Sequence, residues 1–80
     1  EDLKKPSMTY IYIIDEILSS IEGGQADLQT IYDKIQKRWP YYKYRVGSIG
    51  WQSSVRHNLL SCERFVDAGK SGKGKFWRIN

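Results

Sequence analysis

The chain has 80 residues, a net charge of +4, one cysteine and one histidine. That length bounds it to a single domain, residues 1–80, near the lower end of what folds without cross-links. A lone Cys62 excludes an internal disulfide, and Cys62 with His57 cannot make up a structural zinc site, so no metal or cofactor is expected and packing must carry the fold. A reducing intracellular compartment fits that composition. No apolar run approaches the roughly 18 residues of a membrane span, and no signal peptide opens the chain. Because it begins at Glu1, it is expected to be one domain of a longer protein.

Charge is unevenly spread. Residues 1–33 carry seven acids against Lys4 and Lys5, a balance of −5, while residues 34–80 carry eleven bases against Glu63 and Asp67, a balance of +9. A strongly positive portion is what a polyanionic partner selects for, although a solvated basic surface has the same composition.

In chain order, the first predicted helix runs from about Tyr10 to Ile21. Tyr10, Ile13, Ile14, Ile17, Leu18 and Ile21 recur at helical spacing along one stripe. Ser7 and Thr9 are candidate N-caps, and Gly23-Gly24 is the stop. A second helix is predicted over Leu28–Trp39, capped by Asp27, with Leu28, Ile31, Tyr32, Ile35 and Trp39 inward and Pro40 ending it. Its bases Lys34, Lys37 and Arg38 gather toward the negative end of the helix dipole. Tyr41, Tyr42 and Tyr44 suit either packing at the next junction or stacking on single-stranded bases.

The third predicted helix begins at Trp51, after Ser48 or Gly50, and continues to Leu60 or Ser61. At about 100° per residue, Trp51, Val55, Asn58, Leu59 and Cys62 share a core-facing stripe. Asn58 on that side should hydrogen-bond to backbone, since a buried amide needs partners. Ser53, Arg56, His57 and Leu60 lie opposite, spaced to reach along a groove. Phe65-Val66-Asp67 and Phe76-Trp77-Arg78-Ile79 then read as two strands around a basic, glycine-rich loop, Ala68–Lys75. The expected fold is mainly α with a small β-hairpin: a winged helix, in which a three-helix helix-turn-helix variant is followed by a C-terminal wing.

Trp51-Gln52-Ser53-Ser54-Val55-Arg56-His57-Asn58-Leu59 resembles the recognition-helix signature W-Q-N-S-[IV]-R-H-N-L of the forkhead family. Lys5-Pro6 with Tyr10, Trp39-Pro40-Tyr41-Tyr42-Lys43 and Gly72-Lys73-Gly74-Lys75-Phe76-Trp77 resemble three further family motifs, in the same order. The resemblance runs from Lys5 to Ile79. It implies a domain of a nuclear transcription regulator that binds double-stranded DNA, with other regulators contacted through regions outside this chain; with no dimerisation stripe visible beyond the core, a monomer is expected. It also implies that Arg56 and His57 reach bases or neighbouring phosphates from the major groove, and that Tyr10, Ser54, Lys73 and Lys75 hold the backbone. Arg56 suits either a phosphate clamp or a base reader.

Two departures fall on the reading face: Ser53 stands where the family has Asn, and Leu60 where it has Ser. Asn pairs bidentately with adenine, whereas serine makes one flexible hydrogen bond and leucine offers apolar contact to a thymine methyl. The alternative reading is therefore a winged helix serving protein interaction, or sequence-independent DNA binding through the backbone. Enzyme signatures are missing: no catalytic pair is apparent, and the wing's G-x-G-K lacks the spacing of a phosphate-binding loop.

Overall fold

A computed structural model describes residues 8–44, 48–72 and 74–80. Lys5-Pro6, the candidate cap Ser7 and the wing's Lys73 lie outside the described residues.

Helix α1 spans Tyr10–Ser20, and Thr9 is its cap, with Oγ1 accepting from the Tyr12 amide at 3.3 Å. Ile13, Ile14, Ile17 and Leu18 are buried along the expected stripe. The helix closes at Ile21, and the chain reverses through Gly23 (φ +90°) and Gly24 (φ +73°), conformations open to glycine at little cost. A short strand, β1 (Gln25–Asp27), leads directly into α2 (Leu28–Arg38). Asp27 caps α2, Oδ1 accepting from the Thr30 amide at 2.9 Å. Trp39 is the C-terminal cap, so the helix ends at Arg38, one residue short of the predicted end.

Two elements were not anticipated from the sequence. β1 is three residues long, too short to show an alternating pattern. α3 (Tyr41–Tyr44) follows Pro40, which ends one helix and starts the next because proline is tolerated in a first helical turn. The predicted third helix is thus the fourth: α4 spans Ser48–Ser61, beginning before Gly50 rather than after it.

The wing also differs in extent. β2 (Phe65–Ser71) and β3 (Gly74–Ile79) reach through most of the segment read as a loop, leaving a tight turn at Gly72 (φ +56°). The glycines serve turn and bulge rather than a long loop. The β2–β3 register slips between Asp67 and Lys70, where Gly69 takes φ +114° and donates its amide to Asp67 Oδ1 at 2.8 Å. β1 pairs antiparallel with β3, so the strand order is β1-β3-β2 and the hairpin is part of a three-stranded sheet. The architecture remains mainly helical with a small β wing, as expected.

One core joins both layers. Ile13, Ile14, Ile31, Ile35, Val55 and Leu59 are sealed inside, with Phe65 and Trp77 closing it from the sheet. Burying each aliphatic side chain contributes about 1.5–3 kcal/mol. Trp51 stands between Tyr32 (ring centroids 5.5 Å apart, edge-on) and Tyr42 (5.2 Å), which seats α4 on α2 and α3. Of the tyrosine run, Tyr42 is buried and Tyr41 half-buried as junction packing requires, but Tyr44 is 66% exposed beneath the Lys43 ammonium. Two bases fasten α1 from other elements: Arg38 pairs with Glu16 at 2.8 Å, and Arg64 pairs with Asp15.

Candidate nucleic-acid interface

Helix α4 owes its orientation to its apolar side. Trp51, Val55 and Leu59 recur every fourth residue and are all buried. The Tyr32 phenol donates to the Gln52 carbonyl at 3.1 Å, tying α2 to the first half of α4. Asn58 is half-buried and Nδ2 donates to the Ser54 carbonyl at 2.7 Å, the backbone bond expected of it, made within its own helix. Cys62 packs half-buried against the core.

With that side inward, the opposite side is left open. Ser53, Arg56, His57 and Leu60 are all exposed. Leu60 is the odd member, an aliphatic side chain 58% exposed between polar neighbours. Ser54 lies at the margin, half-buried, its hydroxyl donating to the Gly50 carbonyl at 3.3 Å. Ser61 similarly donates to the His57 carbonyl at 2.8 Å.

Lys75 on β3 is exposed, yet held: Nζ lies 3.5 Å from Asp67 Oδ2 and 5.3 Å from the Trp77 ring centre. The Gly69 amide, and secondarily Lys75, keep the Asp67 carboxyl below its ordinary range. Arg56, Leu60 and Lys75 share one open cleft of about 450 Å³ with Asp27, Ser71 and Trp77, bounded by the start of α2, α4 and the wing. Ser53 and His57 lie elsewhere around α4. Tyr10 is half-buried at the start of α1, its ring 6.2 Å from Tyr42, and does not line that cleft.

In the sequence Asp27 stands out only as a cap and Ser71 not at all. The structure joins them, Ser71 Oγ donating to Asp27 Oδ2 at 3.2 Å beside the cleft. No local pattern links residues so far apart in the chain.

A helical body that exposes one face of its longest helix beside a β-hairpin defines the winged-helix class. The comparisons narrow that class. Residues 4–80 match the family model described as the Forkhead domain. The chain is 38% identical over 78 residues to the forkhead transcription factor HCM1 of Saccharomyces cerevisiae, covering 95% of this chain and 14% of that protein. It is 36% identical over 80 residues to Forkhead box protein L3 of Homo sapiens, covering 94% and 34% respectively. Forkhead box protein F1-B of Xenopus laevis is 37% identical over 82 residues, covering 96% and 21%. The chain belongs to the forkhead family, whose domain is a DNA-binding winged helix of transcription regulators. It spans between 14% and 34% of the length of these three relatives.

Proposed function

We propose that this domain binds double-stranded DNA as a monomer, with α4 in the major groove and the wing on the phosphate backbone, as part of a nuclear transcription regulator. The observation that carries this reading is the uncovered face of α4. Four neighbouring side chains point away from the core, and a lysine-bearing strand flanks two of them, Arg56 and Leu60. Ser53, Arg56, His57 and Leu60 then meet base edges, and Ser54, Lys73 and Lys75 meet phosphates. Tyr10 belongs with the backbone group by family resemblance. Other regulators are contacted through segments outside these 80 residues.

A second reading has its own support. The exposed Leu60 removes one hydrogen-bonding group from the reading face and Ser53 replaces a bidentate amide by a shorter hydroxyl, which favours backbone-led, weakly sequence-dependent binding. Selection of sites from random duplexes tests both. A defined motif, with Arg56→Ala or His57→Ala losing more affinity on it than on scrambled DNA, is the expected result. Binding without a motif, with equal losses on both duplexes, establishes the second reading.

A further inference from the structure

The outer part of the wing is thinly attached by its backbone. β1 accompanies β3 only as far as the Asp27–Phe76 pair. On the other side, beyond the bulge, β2 and β3 share two pairs, Lys70 with Lys75 and Ser71 with Gly74. Among the described residues, the tip therefore has no backbone partner on the β1 side. A side-chain bond supplies one. Ser71 Oγ donates to Asp27 Oδ2 at 3.2 Å, reaching from β2 to β1 across the middle strand. Among the described residues it is the one side-chain hydrogen bond between those outer strands.

Asp27 is well placed to serve as the anchor. Its other oxygen accepts from the Thr30 amide, so the carboxylate is already fixed by the first turn of α2. Thr30 foremost, with Ser71 adding to it against a smaller effect of burial, holds the carboxyl below the ordinary range. It is therefore charged at neutral pH and accepts at both oxygens. Arg56 and Leu60 face this pair across the cleft.

We propose that Asp27 and Ser71 form a latch that holds the outer wing beside α4, making both of them positioning residues for the wing's contact with the DNA backbone. The proposal rests on the DNA-binding reading above. Without the latch the tip pivots at the Gly69 bulge, and the conformational entropy of ordering it leaves one phosphate contact unmade on binding.

The test compares the 80-residue chain with Ser71→Ala, which removes the hydroxyl, and Ser71→Thr, which keeps it. ¹⁵N relaxation on the free domain reads the Gly72 and Gly74 amides. Duplex binding across several salt concentrations reads the contact. In Ser71→Ala the two amides should fall toward the order parameter of flexible backbone, about 0.6. Affinity should drop about threefold to tenfold on selected and scrambled duplexes alike, the range of one lost hydrogen bond. The salt slope should become shallower by about 1, as for one lost phosphate contact. Ser71→Thr should match the wild type in all three. Unchanged order at Gly72 and Gly74 in Ser71→Ala overturns the latch, whatever the DNA result. A loosened tip with wild-type affinity and slope overturns the positioning role. If the wild type binds no duplex, the DNA-binding reading and the positioning role fail together, and the relaxation data still decide the latch.

Discussion

Leu59 and Leu60 are neighbours in sequence on opposite sides of one helix, 1% and 58% exposed. Leu59→Ala should lower the unfolding free energy by about 2–5 kcal/mol, the cost of deleting a well-packed aliphatic side chain. Leu60→Ala should stay within about 0.5 kcal/mol of wild type, as surface changes do. Urea unfolding of the two variants checks the pair, and equal losses would contradict the orientation of α4. Because Ser53 and Leu60 both project outward, Ser53→Asn with Leu60→Ser should also leave the fold intact. On an A-rich forkhead-type duplex the double variant should gain about 1–3 kcal/mol through pairing of Asn with adenine. On a scrambled duplex of equal length it should gain nothing. Titration of both duplexes at one salt concentration makes the comparison. This division of α4 was legible in the sequence, since helical spacing assigns sides without tertiary information. The Ser71–Asp27 bond was not, because it joins positions 44 residues apart that meet only once the sheet has formed.

At the scale of elements, the capping carboxylate of α2 links stability to pH. Asp27 is held below its ordinary pKa of 3.8, chiefly by Thr30, through its side chain first and its amide second. A depressed carboxyl contributes stability that is present above the unfolded pKa and is lost as pH falls through the folded one. At neutral pH, Asp27→Ala should therefore cost about 1 kcal/mol through loss of the cap, with the Ser71 bond adding to it. The difference between the variant and the wild type should narrow below about pH 4, where the unfolded carboxyl becomes protonated. Thermal melts from pH 7 to pH 2 measure it, and a gap that widens toward acid would refute the assignment. α1 and α2 were legible because each combines a cap with a stripe of several turns, and α4 through its stripe alone. α3 was missed because a proline read as a stop is also a start, and β1 because three residues carry no periodicity. The wing strands were drawn too short since Gly69, Gly72 and Gly74 read as loop, although two of them only shape a bulge and a turn.

At the scale of the whole molecule, the +9 balance of residues 34–80 overstates the charge free to meet DNA. Arg38 and Arg64 are engaged by Glu16 and Asp15 on α1, and Lys75 lies near Asp67. If about six phosphates are neutralised on binding, log K against log salt should have a slope near −5. Fluorescence anisotropy on one duplex from low to moderate salt gives that slope, and a flat dependence would remove the electrostatic basis of the proposed function. The charge asymmetry was legible in composition, but which bases are spent inside the fold was not. One further property follows from the strand order. β3 follows both β1 and β2 in sequence yet is the middle strand of the sheet, so β1 and β2 are neighbours of β3 and not of each other. During synthesis, α1, α2 and α4 emerge while both outer strands still lack their partner, and Trp77 is not yet available to cover the core. A ribosome-tethered chain ending before Gly74 should therefore stay protease-sensitive in its helices as well as its strands. The closing step awaits Gly74–Ile79, so the domain matures all at once rather than growing from its N-terminus.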